Sequence, residues 1–96
     1  MIKSFKDKSI KLTNETAVSK INNQAIMLDL KSGVYFELNE VGAFIVQHLK
    51  SLISFSEINE LVIKTFGVDK KRCELDVINF LNELNERSLI EIHKID

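Results

Sequence analysis

Ninety-six residues, 45% hydrophobic and 28% charged, suit one folded domain over residues 1–96 with a modest core, and exclude a second core and the low-hydrophobicity signature of disorder. Thirteen basic against fourteen acidic residues leave a net charge of −1, so no overall field draws the chain to nucleic acid or to an anionic membrane surface. One cysteine, Cys73, excludes an internal disulfide framework; with an N-terminus that lacks the continuous apolar run of a signal peptide or membrane span, it fits a reducing cytoplasm.

Residues 1–14 carry no sustained periodicity and read as a poorly defined polar lead-in, with Ile10 and Leu12 offering at most a short extended piece. Residues 17–21 alternate loosely, Asn22, Asn23 and Gln24 are turn formers, and residues 25–30 (AIMLDL) make the second arm of a hairpin. Lys31, Ser32 and Gly33 form a short connection in which glycine supplies positive φ. Residues 34–38 are then the third strand of a meander.

Asn39 is placed to cap a helix beginning at Glu40, with Val41, Ile45, Leu49 and Leu52 on one face. Ser54 and Glu57 form a capping box ahead of Ile58, Leu61, Val62 and Phe66, and Gly67 stops that second helix. Asp69 caps the third and longest pattern, in which Cys73, Val77, Phe80, Leu81 and Leu84 fall in a narrow arc that runs to about Arg87. The tail, residues 89–95, alternates again and predicts a short closing strand. The fold class is α+β: a three-stranded antiparallel sheet followed by three helices, winged helix-turn-helix-like.

Chemistry has little to work with. His48 and His93 are 45 positions apart and form no metal spacing, Cys73 falls on a core arc, and Asp76, Glu83 and Glu86 are spread along a helix flank as a solvated face would be. The three glycines stand alone, which excludes a phosphate loop. The expectation is a protein that is not an enzyme and needs no metal or cofactor. A winged helix also suggests DNA, but from Lys70 to Arg87 the third helix balances Lys70, Lys71, Arg72 and Arg87 against Glu74, Asp76, Glu83 and Glu86, without the basic excess a major groove demands.

Two features exceed the needs of a core. Leu75 and Ile78 lie outside the core arc of helix three and form a second apolar lobe on its flank. The strand Val34, Tyr35, Phe36, Glu37 and Leu38 is an edge strand with no proline or lysine, and only Glu37 guards it. Either the tail or a second subunit covers this edge, or a peptide adds to it as a further strand.

The order Leu28-Asp29, Ser32-Gly33, Tyr35-Phe36, then Leu38-Asn39-Glu40-Val41-Gly42, the Ser54 and Glu57-Ile58 helix start, and Asp76-Val77 with Phe80-Leu81 and Leu84 closely resembles the PqqD-like family over about residues 17–91. That resemblance implies a RiPP recognition element, which binds the leader region of a ribosomally synthesised precursor peptide as an added strand beside strand three, in a cleft against helix three. It implies partner enzymes too: a leader peptidase with a cyclase in lasso-peptide assembly, or a radical SAM enzyme in pyrroloquinoline quinone assembly. On this reading Val34 to Leu38 give main-chain hydrogen bonds, while Arg72, Leu75, Ile78, Asn79 and Asn82 shape side-chain pockets. The alternative is a winged-helix transcriptional or structural module that dimerises through the strand-three edge.

Overall fold

A computed structural model describes residues 5–21 and 24–95 of the chain. The turn expected at Asn22 and Asn23, and the first residues of the lead-in, lie outside the described residues. The order is β1 (Lys8–Leu12), β2 (Thr16–Ile21), β3 (Gln24–Asp29), β4 (Tyr35–Leu38), α1 (Glu40–His48), β5 (Ile53–Ser54), α2 (Phe55–Phe66), α3 (Lys70–Glu86) and β6 (Ile90–Lys94). The strands make two antiparallel sheets, ordered β2-β3-β4 and β5-β1-β6.

The first sheet is the expected meander, and the strand expected at residues 34–38 is β4. Its loop is built as the sequence suggests: Gly33 sits at φ +75°, and its N–H donates to the Asp29 carbonyl at 2.8 Å. The Asp29 carboxylate accepts from the Ser32 hydroxyl at 2.8 Å and from the Lys31 N–H at 3.1 Å. These bonds, the Ser32 hydroxyl foremost, lower the Asp29 pKa from its ordinary 3.8. A depressed carboxylate adds stability that is present above the ordinary value and lost as pH falls through the lowered one. Protection of the Lys31 amide, measured against its intrinsic exchange rate, should therefore fall as pH drops below 3.8, and Asp29→Asn should abolish that pH dependence.

The second sheet corrects the reading of the N-terminal segment. Lys8–Leu12 is its central strand, paired with β5 on one side and along its whole length with β6 on the other. Phe5, Ile10 and Leu12 are core residues. The closing strand expected in the tail is β6, and it pairs with β1, so it does not cover β4.

All three helices start where their caps predict. Asn39 Oδ1 accepts from the Gly42 N–H at 2.7 Å, Ser54 Oγ from Glu57 at 3.1 Å and Asp69 Oδ2 from Arg72 at 3.1 Å. Gly67 ends α2 in the left-handed region at φ +64°. Helix α1 is shorter than its apolar spacing suggests: it stops at His48, Leu49 caps it from the core, and Leu52 is 53% exposed. The chain there turns to deliver Ile53 to β1, and that pairing overrides the helical period. One core joins the two sheets to the helices through Ile10, Met27, Ile45, Ile58, Val77 and Leu81.

Candidate functional site

Strand β4 is an edge strand among the described residues, and its geometry decides which of its groups are available. The Asp29 N–H donates to the Val34 carbonyl at 2.9 Å. In an antiparallel ladder, residues that exchange such bonds alternate with residues that do not. With Met27 opposite Phe36 and Ala25 opposite Leu38, the main-chain groups of Val34, Phe36 and Leu38 turn inward to β3. Those of Tyr35 and Glu37 turn outward, away from the sheet.

Side chains follow the complementary alternation. Phe36 and Leu38 share the face of the buried Met27 and Ala25, and both pack against the core. Tyr35 and Glu37 stand on the other face, Tyr35 65% exposed. Facing the inner side of β4 is α3. Between them runs a cavity of about 150 Å³ with walls from Phe36, Leu38, Phe80, Glu83 and Arg87, and Glu37 borders it between Phe36 and Leu38. Phe80 also borders a second cavity of about 220 Å³, largely apolar, beneath the start of α1, with Val41, Gly42, Val68 and Asp76. The two meet at the Phe80 ring, and the first of them forms the groove beside β4. A Cβ at Gly42 would lie 3.1 Å from Asn39 Oδ1 and 3.4 Å from Phe80 Cε1, so glycine there lets the α1 terminus approach the Phe80 ring.

At the far end the Arg87 guanidinium lies 4.4 Å from the centroid of the Phe36 ring. This cation–π contact joins the C-cap of α3 to β4. Arg72 pairs with Asp76 at 3.6 Å on the surface of α3.

The structure sorts the residues singled out from the sequence. Tyr35, Phe36, Glu37 and Leu38 form β4, and Val34 immediately precedes it. Leu75, Ile78 and Asn82 are not brought to the groove beside β4. On the α3 wheel Asp76, Phe80, Glu83 and Arg87 lie to one side of the buried Val77, and Ile78, Asn82 and Leu75 to the other. Ile78 borders a separate depression toward α2, with Phe55 and Ile63. Leu75 is 49% exposed, and the Asn82 amide donates to the Ile78 carbonyl at 3.0 Å. Arg72 and Asn79 are on α3 but line neither the groove nor the second cavity. Phe80, Glu83 and Arg87, which do line the groove, were not singled out as site residues. Phe80 at the margin of the core arc was the one available signal.

Cys73 is buried, and its thiol lies 3.6 Å from Asn59 Oδ1 and 3.8 Å from the Asn59 carbonyl. Burial pushes its pKa up, and the charges of Asp76 and Glu74 add to the effect, the opposite of what a nucleophilic thiol requires. Among the described residues no group of three or more His, Cys, Asp or Glu is placed to hold a metal ion. No helix among them is long and apolar enough to cross a membrane.

Among curated proteins none matches this sequence. Three solved structures are similar to it. TbiB1 in complex with the TbiA(beta) leader peptide is 28% identical, with a TM-score of 0.75 over 84% of this chain and 94% of that one. A lasso peptide synthetase B1 complexed with its leader peptide is 25% identical, with a TM-score of 0.73 over 85% and 96%. The PqqD truncation of Methylobacterium extorquens PqqCD, described as a stand-alone RiPP recognition element, shares the fold at 18% identity, with a TM-score of 0.75 over 92% and 93%. The family model for coenzyme PQQ synthesis protein D (PqqD) matches residues 24–90, more than two-thirds of the sequence, and this chain belongs to that family.

Proposed function

We propose that this protein binds the leader region of a ribosomally synthesised precursor peptide by strand addition to β4, and presents it to partner enzymes without chemistry of its own. The observation that carries this reading is the β4 edge, unpaired among the described residues, with the main-chain groups of Tyr35 and Glu37 turned outward beside a groove that has an aromatic floor and a charged end. Two solved relatives, at 28% and 25% identity, are complexes with leader peptides. Side chains on the inner face of the incoming strand would rest on Phe36, Leu38 and Phe80, with Glu83 and Arg87 at the end of the groove. Tethering the precursor raises its effective concentration at an enzyme that recognises the complex, so a non-reactive leader determines which peptide is processed. The partners we propose are a leader peptidase and a cyclase, since one of the leader-bound relatives is a lasso peptide synthetase B1.

Titrating a precursor leader into isotope-labelled protein tests the reading. The amide signals of Tyr35 and Glu37 and the rings of Phe36 and Phe80 should shift together. Leu75→Glu should leave leader affinity unchanged and stability within about 0.5 kcal/mol, as expected for an exposed position away from the groove. Loss of binding in that variant, with β4 signals unmoved, would transfer the site to the outer flank of α3. A dimer that ignores leader and dissociates on Tyr35→Pro would replace it with a module that dimerises through β4.

A further inference from the structure

The leader reading leaves open what the outer face of the added strand presents. The rows that cross the sheet on that face run Ala17, Leu28, Tyr35 and Ser19, Ile26, Glu37. The first is apolar, and its end residue Tyr35 is largely exposed. The second ends in a carboxylate, and no basic side chain stands in its row. Among the described residues none forms an ion pair with Glu37. Arg87, at the end of α3, is committed to the Phe36 ring.

A strand added antiparallel to β4, as β3 is, extends each row by one residue. Its residues opposite Tyr35 and Glu37 form the hydrogen-bonded pairs, because those two positions have the outward main-chain groups, and their side chains fall on the outer face. From this geometry we infer that Glu37 is a specificity-determining residue: the peptide residue opposite it is lysine or arginine, and the residue two positions away, opposite Tyr35, is aromatic or aliphatic. The inference rests on the strand-addition reading. The peptide residue between them, opposite Phe36, turns into the groove, so the segment alternates an apolar inner side with an outer side that is basic at one place and apolar at the next. Opposite charges facing each other across a strand pair are favourable and like charges unfavourable by comparable amounts. Glu37 thus selects for a cation and against an anion.

A library of random peptides displayed on phage, selected in parallel at low salt against the wild-type protein and Glu37→Lys, tests this. Wild-type binders should be enriched in lysine or arginine two positions from an aromatic or aliphatic residue, and Glu37→Lys binders should carry aspartate or glutamate there instead. A wild-type peptide with lysine at that place should lose roughly two- to thirty-fold in affinity on Glu37→Lys, with the loss shrinking as salt is added. Both sets should bind Tyr35→Pro at least about two- to twelve-fold more weakly than the protein they were selected on. Binders that depend on the Tyr35 N–H yet are indifferent to Glu37→Lys overturn this inference and leave leader binding at β4 intact. A selection that yields no Tyr35-dependent binder overturns both.

Discussion

Replacing Phe5 by alanine should cost about 3–5 kcal/mol of stability, the usual effect of emptying a buried aromatic site. Phe5 is 0% exposed, its ring centroid is 6.2 Å from that of Phe55, and its carbonyl accepts the Lys8 N–H at 3.0 Å as the chain turns into β1. At about 4–8 °C per kcal/mol for a domain of this size, the melting temperature should fall by roughly 12–40 °C. Domains of this kind hold only about 5–15 kcal/mol in total, so the variant should approach unfolding at ambient temperature. A melting temperature within a few degrees of wild type would mean that the segment before β1 is not part of the core in solution.

Proline at adjacent positions of β4 should separate folding from binding. The Phe36 N–H points inward to β3, so Phe36→Pro removes a ladder bond and also loses an aromatic ring from the inner face and from the Arg87 contact. The combined effect should be about 3 kcal/mol or more, seen as a large drop in melting temperature. The Tyr35 N–H points outward, so Tyr35→Pro should fold with a near-normal melting temperature and lose one peptide hydrogen bond, worth about 0.5–1.5 kcal/mol net. That corresponds to about two- to twelve-fold weaker leader binding, more where the ring obstructs the incoming strand. The two variants form an internal control, since a large drop for Tyr35→Pro with a near-normal Phe36→Pro would show that the parity of β4 is the reverse of that described.

Local signals revealed much of this architecture. The caps at Asn39, Ser54 and Asp69, and the left-handed Gly33 and Gly67, are short-range bargains between a side chain or a missing Cβ and the adjacent backbone, so they are legible one turn at a time. Strand β1 was not, because its partners β5 and β6 are distant in sequence and its own residues, KSIKL, place lysines among the two apolar positions that reach the core. The β4 edge was legible because it needs only the meander and an unguarded composition. The wall opposite it was not: periodicity gives angles around α3, but the packing of Val77 and Leu81 into the core fixes its rotation. That rotation turns Phe80 and Arg87, rather than Leu75 and Ile78, toward the strand. Leu52 misled because the pairing of Ile53 with β1 ended the helix that its spacing continued.

The brevity of β4 has a consequence for release. Only two of its four residues, Tyr35 and Glu37, turn their main-chain groups outward. An N–H and a C=O from each, at about 0.5–1.5 kcal/mol per bond, supply roughly 2–6 kcal/mol, against about 4 kcal/mol for millimolar and 8 kcal/mol for micromolar affinity. Backbone pairing alone therefore holds any extended chain only fleetingly, and a wrong peptide escapes before an enzyme engages it. Residence long enough for processing has to come from side chains, those seated against α3 and the one facing Glu37, so discrimination between peptides should appear mainly in off-rates. The same brevity gives other copies of the protein too little ladder to template a growing sheet.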